Sequence, residues 1–328
     1  MIQNRMNTTD KNTSIFQHPV WVAILASTAA IVWGWAYPLI KIGFAEFQIE
    51  QSMTGSKMLF AGLRFCLSGI IILVAAVFTG RSFRLKPQIG TEHLSKLWAW
   101  RVAAFVLVFS LLNTTLHYTF FYIGLSHSQG ARAAILNSMS VFLVVILSCI
   151  FFYTDKMTTR RIVGVAIGII GIMALNGDVL ISEGALYKPN ELFGDFMIIL
   201  NALCSAFASL LTRGLARRLD VFVGTGYSLA IGGALIIIPG ILMGGTLPHV
   251  TLYGIVILLL LIAISTIGFT LYNRLLTCNP VGKIAIYNSL IPVVGAFSSC
   301  WCLGEPFYWK YIVAGGFATT GIYLINKE

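Results

Sequence analysis

The feature that most constrains this chain is an internal duplication within a very apolar sequence. The segment from residue 122 to 176 recurs 150 positions later. The matching positions include Tyr122 with Tyr272, Leu125 with Leu275, Gly171 with Gly321 and Asn176 with Asn326, and after a one-residue slip Arg132 with Lys283, Asn137 with Asn288 and Ser138 with Ser289. Because polar and glycine positions recur, apolar composition alone does not explain the match. Two similar halves predict an architecture of internal repeats.

Composition places these halves in a membrane. The chain is 57% hydrophobic and only 10% charged, with a mean hydropathy of +0.85, which excludes an ordinary soluble domain. Its apolar runs are continuous, as in helices, and do not alternate as in the strands of a membrane barrel. Because a span needs about 20 apolar residues, the 328 residues accommodate about ten spans. We therefore expect an all-α integral membrane protein with ten transmembrane helices.

The ten predicted spans divide equally between the two halves. They are residues 20–42, 58–79, 99–125, 131–153, 161–180, 192–212, 222–243, 252–276, 281–303 and 308–326. Within the first span, Pro38 is placed to break the helix. Five spans are an odd number, so the second half would cross the membrane in the opposite sense to the first. The prediction is two inverted five-helix repeats, residues 20–180 and 192–326, after a polar tail of residues 1–19.

Basic residues predict the orientation. With the N-terminus in the cytoplasm, the loops and helix ends on that side carry most of the 22 Lys and Arg residues. The exceptions are Lys41, Lys57, Arg64, Arg132, Lys188 and Lys310. We therefore expect both termini in the cytoplasm of a cell bounded by this membrane, as in a bacterial inner membrane. In a lipid-embedded chain the net charge of +10 reflects this bias, and no nucleic-acid partner is expected.

Several strings resemble the EamA-type transporters of the drug/metabolite transporter superfamily. They are WGWAYPLIK at residues 33–41, GLSHSQGARAAILNSMSVF at 124–142, GDFMIILNALCSAFASLLTR at 194–213, and NSLIPV with CLGEPF within 288–307. The resemblance covers nearly the whole chain. It implies a secondary transporter of small metabolites, with helices five and ten outside a central cavity. The first copy departs from the pattern, with Val141 opposite Pro292 and Thr154–Asp155 where Gly-Glu is usual.

We expect an exporter of amino acids or related carboxylates, working by alternating access between the repeats. One alternative is a broad multidrug exporter of cations, which would need an embedded carboxylate that the sequence does not place deep in a span. A second is an intramembrane enzyme. Ser126 and His127 are adjacent on a helix and do not face each other, and no GxSxG or HExxH string occurs, so no catalytic residue is predicted. A receptor or scaffold has no soluble sensor domain to support it.

Charges within the spans indicate where a substrate would bind. Lys41, Arg64 and Arg132 lie in the outer half of the predicted bundle with no acidic residue placed to neutralise them. Unpaired cations around a cavity favour an anionic group on the substrate. The competing interpretation is that these side chains snorkel to the head groups.

Polar and aromatic residues extend this candidate site. Asn113 and His117 are four apart on the third span, and the histidine is either a proton-coupling group or a neutral side chain bonded to a neighbour. Asn137 and Asn288 are repeat mates that either tie helices together or line the passage. The predicted substrate-binding residues are Trp33, Trp35, Tyr37, Lys41, Arg64, Asn113, His117, Arg132, Asn137, Tyr287 and Asn288.

Small residues and cysteines have structural interpretations. Gly164, Gly168 and Gly171 form one smooth face, answered by small residues on the tenth span, which predicts a seam within the chain or between two copies in a homodimer. The six cysteines lie in or beside apolar runs without a framework spacing, and the Cys300–Cys302 pair lacks further ligands. No metal or cofactor is expected. The predicted partners are a small-molecule substrate, the lipid bilayer and a second copy of the chain.

Overall fold

The computed structural model describes residues 15–86, 95–151, 158–175, 189–279, 284 and 286–326, and all regular structure within them is helical. The first half contains α1 (Pro19–Glu46), α2 (Thr54–Phe78), α3 (Ser95–Ser110), a π-helical segment (Leu111–Leu116), α4 (His117–His127), α5 (Gly130–Asn137), α6 (Met139–Phe151) and α7 (Thr159–Leu175). The second half contains α8 (Pro189–Arg218), α9 (Val221–Leu242), α10 (Leu252–Cys278), a 3₁₀ turn (Ile286–Ser289), α11 (Leu290–Leu303) and α12 (Trp309–Asn326). Asp155, the repeat mate of Glu305, and Lys283 lie outside the described residues.

Seven helical segments among these residues are long and apolar enough to cross a membrane. They are Pro19–Glu46, Thr54–Phe78, Leu97–His127, Gly130–Phe151, Asn190–Arg218, Val221–Leu242 and Leu252–Cys278. Large apolar side chains remain exposed along them, as lipid contact requires. The prediction of an all-helical membrane protein is confirmed at this level.

Helix α1 continues through Pro38, so the predicted break there is wrong. A proline inside a helix leaves the carbonyl four residues earlier without its N–H donor. Here that carbonyl belongs to Gly34, and the Ser298 hydroxyl of α11 lies 3.5 Å from it. The neighbouring helix therefore offers a donor to the carbonyl, which is how prolines are tolerated in lipid-embedded helices.

The fourth and ninth predicted helices are interrupted at corresponding points. Helix α5 ends at Asn137 and α6 begins at Met139, with Ser138 between them. In the second copy a 3₁₀ turn covers Asn288 and ends at Ser289, immediately before α11. The same Asn-Ser pair thus marks a change of helical geometry in both halves. In transporters with inverted repeats, such discontinuities cluster at the substrate site.

Glycines bring α2 and α9 into backbone contact. A Cβ added to Gly62 would lie 2.8 Å from the Gly233 carbonyl oxygen, and one added to Gly69 would lie 2.2 Å from the Ala230 nitrogen. Further along, a Cβ on Gly55 would lie 2.8 Å from the Gly240 carbonyl oxygen. As residue numbers rise along α2 they fall along α9, so the two helices are antiparallel.

The glycine seam of α7 lies inside the chain, against α12. A Cβ on Gly171 would lie 2.4 Å from the Phe317 Cβ, and one on Gly321 would lie 2.5 Å from the Gly164 carbonyl oxygen. This pair is also antiparallel. Of the two interpretations of the seam, the structure supports packing within one chain. The homodimer stays a prediction, and its interface would lie elsewhere.

Helices from the two halves interlock in a reciprocal pattern. Helix α1 packs against α10 and α11, while α8 packs against α4, α5 and α6. Counted along the chain, the first helix contacts the eighth and ninth, and the sixth contacts the third and fourth. The bundle is therefore held together by contacts between halves, with its largest apolar core at their junction.

Two glycines of α12 provide a matched test of this packing. We expect Gly321→Ala to lower the melting temperature and the yield of folded protein, because the new methyl group meets backbone atoms of α7. The control is Gly316→Ala on the same helix, where a Cβ meets nothing within 4 Å. Thermal unfolding in detergent measures both. Equal melting temperatures for the two variants would contradict the α7–α12 contact.

Candidate functional site

Two asparagine–tyrosine pairs lie at the interrupted helices. Asn137 Nδ2 donates to the Tyr37 hydroxyl at 2.9 Å, and Asn288 Nδ2 donates to the Tyr272 hydroxyl at 2.8 Å. Asn201 of α8 extends the first pair by donating to Asn137 Oδ1 at 2.6 Å. Asn201 is fully buried, and its own Oδ1 has no partner among the described residues. The repeat-mate asparagines thus tie helices together in this conformation, and Asn201 adds a buried acceptor beside them.

A row of aromatic rings connects the two pairs through the bundle. Its members, in spatial order, are Tyr272, Trp33, Phe269, Tyr118, Phe121 and Tyr37, with neighbouring ring centroids 5.1 to 6.3 Å apart. The Trp33 Nε1 atom is buried without a hydrogen-bond partner among the described residues. His117 packs edge-on against Tyr118 at 4.3 Å, and its Nδ1 likewise lacks a partner there. The row is thus mainly apolar, and two buried nitrogens beside it, on Trp33 and His117, lack hydrogen-bond partners among the described residues.

Arg64 is a buried cation held by neutral groups. Its side chain belongs to a residue only 3% exposed, so it does not snorkel to the membrane surface. Nε donates to the Leu261 carbonyl and the Ser265 hydroxyl at 3.0 and 2.8 Å, and Nη1 donates to the Tyr122 hydroxyl at 3.0 Å. None of the described carboxylates lies within 4 Å of it. Arg64 therefore keeps an uncompensated positive charge within the described bundle.

Hydrogen-bond donors outnumber acceptors around Arg64. A guanidinium has five N–H groups, and the one on Nε and one on Nη1 are engaged, which leaves three without an acceptor in the described chain. Tyr122 and Tyr37 each accept a hydrogen bond through the hydroxyl oxygen, and neither O–H finds an acceptor among these residues. Such a surplus of donors, with a positive charge among them, is complementary to an oxyanion.

Lys41 and Arg132 are ion-paired, so the prediction that they lack acidic partners is wrong. Lys41 Nζ lies 2.9 Å from Glu305 Oε1. Arg132 makes a two-point contact with the Asp195 carboxylate, with Nε 3.0 and 3.2 Å from its oxygens, and Glu191 lies 3.9 Å away. Lys41 and Glu305 are 264 residues apart in sequence, and Arg132 and Asp195 are 63 apart. Only the packing of the two halves brings these charges together, which is why the sequence missed them.

The remaining predicted site residues lie elsewhere. Trp35 packs edge-on against the exposed Trp301, with centroids 6.3 Å apart. Tyr287 packs in a separate apolar cluster with residues from the first turns of α1. Asn113, in the π-helical segment, donates to the Ser228 hydroxyl of α9 at 3.0 Å. The structure therefore brings Trp33, Tyr37, His117, Asn137 and Asn288 along one row, while Trp35, Tyr287 and Asn113 are not part of it.

Sequence reasoning missed Asn201, Asp195 and Glu305 as structural partners. Asn201 carries the same signal as Asn137, an amide within an apolar run. Asp195 and Glu305 lie at predicted helix ends, where acidic residues are ordinary. No cluster of three His, Cys, Asp or Glu side chains able to hold a metal occurs among the described residues.

The Tyr37–Asn137 bond yields a matched pair of variants. We expect Tyr37→Phe to lower the free energy of unfolding by about 0.5–2 kcal/mol, because it leaves a buried amide donor without its acceptor. Tyr287→Phe is the control, because no hydrogen bond of its hydroxyl is found in the described structure. Denaturation in mixed detergent micelles measures both. A Tyr287→Phe effect as large as that of Tyr37→Phe would argue against the bond's contribution.

Comparison with known proteins agrees with this architecture. The sequence profile of the EamA-like transporter family matches residues 20–177 and again residues 192–327. The chain is 23% identical to "Uncharacterized transporter YvbV" of Bacillus subtilis over 93% of this chain and 92% of that protein. It is 25% identical to an "Uncharacterized transporter" of Archaeoglobus fulgidus, over 93% of this chain and 97% of that one.

Two further comparisons concern function and fold. A "Probable amino-acid metabolite efflux pump" of Salmonella typhimurium is 23% identical over 92% of this chain and 93% of that protein. A solved crystal structure superposes with a TM-score of 0.62 at 17% identity, covering 92% of this chain and 97% of the other, which supports the fold alone. The family and these relatives are transporters, not enzymes. With its apolar helices and both halves matched, this multi-pass membrane protein belongs to the EamA-like transporter family.

Proposed function

We propose that the chain has ten transmembrane helices arranged as two inverted five-helix repeats. The seven long spans, together with helices α7, α11 and α12, would make up the ten. The antiparallel pairs support the inversion: α2 with α9 and α7 with α12 are the second helix with the seventh and the fifth with the tenth. A two-fold axis in the membrane plane, which relates inverted repeats, makes such mates antiparallel. The recurrence of the Asn-Ser interruption in the fourth and ninth helices agrees with the same axis.

The proposed activity is export of small metabolites that carry a carboxylate, amino acids among them, by alternating access between the repeats. The observation that carries this proposal is Arg64, a buried cation with no described carboxylate partner and with unused N–H donors. A substrate carboxylate would supply the charge and the acceptors that this region lacks. The similarity to a probable amino-acid metabolite efflux pump supports both the substrate class and the direction.

A multidrug exporter of cations is the second candidate. It would need an embedded carboxylate free to bind its cargo. Asp195 and Glu305 are both largely buried, but Arg132 holds the first and Lys41 the second. The observed charges therefore favour anionic over cationic cargo.

We further propose a bacterial inner-membrane location with both termini in the cytoplasm. Arg84 and Arg217 are exposed at one end of the bundle, and Ser52 is exposed at the other. The bias of Lys and Arg toward the first end supports its cytoplasmic placement.

The substrate proposal is tested by measuring how Arg64→Gln exports an amino acid and the corresponding amide. We expect Arg64→Gln to reduce export of an amino acid about tenfold or more relative to wild type, because a charge-assisted contact is lost, while export of the corresponding amide changes little. Arg64→Lys should recover part of the preference, because it keeps the charge without the planar fork.

Export is measured per folded molecule from preloaded cells. Arg84→Ala, at an exposed loop position, is the control and should match wild type. Loss of both solutes to the same degree would indicate a folding defect, and an unchanged preference for the acid would overturn the assignment of Arg64.

Cysteine labelling tests the orientation. A cysteine replacing Ser52 should react with an impermeant thiol reagent outside intact cells, and cysteines replacing Arg84 or Arg217 should not. The reverse pattern would place the N-terminus outside. Labelling inverted vesicles checks that the protected positions are reactive from the other side.

A further inference from the structure

The Glu305 carboxylate occupies a set of three donors. Its Oε1 accepts hydrogen bonds from Lys41 Nζ and from the Gly130 backbone N–H, both at 2.9 Å. Its Oε2 accepts from the Ala131 N–H at 3.2 Å. Two N–H groups at the start of a helix and an ammonium group are the elements of an anion-binding site. The carboxylate that fills this site belongs to the second half of the chain, whereas all three donors belong to the first.

Local sequence shapes the site and tethers its occupant. A Cβ on Gly130 would lie 2.6 Å from the Ser299 hydroxyl, so only glycine lets the start of α5 approach α11 this closely. Gly304 has φ +61, a left-handed conformation that favours glycine, and it turns the chain after α11 so that Glu305 reaches back. The Glu305 carboxylate is therefore an anion held near the site by the short turn at Gly304. The three donors alone form the anion-binding site.

The same end of the bundle is locked by other polar contacts between the halves. The Tyr311 hydroxyl donates to Gln129 Oε1 at 2.5 Å, next to the start of α5. On the other side, the Asp195 carboxylate accepts hydrogen bonds from Arg132, the third residue of that helix. All the ion pairs found between described residues lie at this end. At this end the second half therefore contacts the start of α5 through ion pairs and hydrogen bonds.

We propose that Lys41 Nζ and the Gly130 and Ala131 N–H groups form an anion-binding site that Glu305 fills when this end of the transporter is closed. Glu305 leaves the site when that end opens, and the carboxylate of the departing solute takes its place. That last step rests on the proposed function. Exchanging one carboxylate for another keeps the charge constant, so the half-buried Lys41 always has a counter-charge.

A groove lies beside this site, with Glu305 in its wall. It has a volume of about 510 Å³ and is lined by Phe297, Cys300, Trp301, Glu305 and Phe307. Its walls are apolar apart from Glu305, which lies where the groove meets the start of α5. Removing the Glu305 carboxylate would therefore leave a vacancy that a small carboxylate such as formate could enter.

The test is chemical rescue, read by cysteine protection. In a background lacking the six native cysteines, Ser299→Cys places a thiol at a fully buried position against Gly130. We expect Glu305→Ala to raise its rate of modification by an impermeant thiol reagent about tenfold or more, because three hydrogen bonds to a carboxylate are lost. Formate should slow that modification again, toward the rate measured with Glu305 present.

Controls separate the site from a general loosening of this end. Glu191→Ala removes a more exposed carboxylate 3.9 Å from Arg132 and should leave both the rate and its response to formate unchanged. Glu305→Gln should be modified faster than the parent, because a neutral amide binds the three donors more weakly than a carboxylate does. It should not respond to formate, because the amide still takes up the space of the carboxylate. This variant also serves if Glu305→Ala does not fold. Right-side-out and inverted vesicles are labelled separately, so that the result does not depend on the assumed orientation.

Two results would overturn the proposal. If Glu305→Ala and Glu305→Gln are modified no faster than the parent, Glu305 does not close this end. If Glu305→Ala is modified faster and formate does not slow it, the three donors do not form an anion site. Both results are rates of cysteine modification and do not involve transport. A failed export experiment with Arg64 would therefore leave this test valid, and a failure of this test would leave the export experiment valid.

Discussion

A polar group inside a lipid bilayer has no water to bind, so it must find its partner within the protein, and most of this structure follows from that constraint. Pro38 removes a donor within α1, and the Ser298 hydroxyl approaches the Gly34 carbonyl that is left over. Arg64 is buried, and the carbonyl of Leu261 and the hydroxyls of Ser265 and Tyr122 surround it. Arg64 still has N–H donors without an acceptor in the described chain, and under the proposed function a substrate carboxylate would supply one.

Satisfying polar groups between helices requires the helices to approach closely, and glycine provides the approach. Along α2 and α9 the backbones meet at Gly62 and Gly233, and α7 meets α12 at Gly171 and Gly321. Lipid offers no hydrophobic incentive for helices to associate, so close backbone contact and shared hydrogen bonds supply the stability. The same kind of contact is used in both antiparallel pairs, which is the arrangement that the proposed inverted repeats would produce.

The polar groups fall into two sets with different consequences. Near the start of α5, cations and carboxylates are matched, and they hold the two halves together at one end of the bundle. In the middle, Arg64 has a surplus of donors beside a row of aromatic rings. A matched set favours closure, because separating it exposes charge. An unmatched set favours binding, because a ligand relieves it. The alternating access that we propose would use both kinds of set in one molecule.

The sequence predicted much of the fold but fewer of the contacts in the candidate site. Continuous apolar runs predicted helices, and the recurrence of Asn137 and Ser138 as Asn288 and Ser289 indicated two related halves. The sequence placed Arg64 within the second predicted span, and packing against Tyr122 and Ser265 of neighbouring helices buries it.

The sequence alone could not predict which charged side chains pair between the two halves. Lys41 and Arg132 looked unpaired because Glu305 and Asp195 lie far away along the chain and at helix ends. Trp35 and Trp33 are two residues apart on one helix, and only packing decides that Trp33 joins the aromatic row while Trp35 meets the exposed Trp301. The sequence by itself determined which segments enter the membrane and which positions repeat. The tertiary structure alone decided which charges meet and which donors are left over, because these depend on contacts between segments that no local pattern encodes.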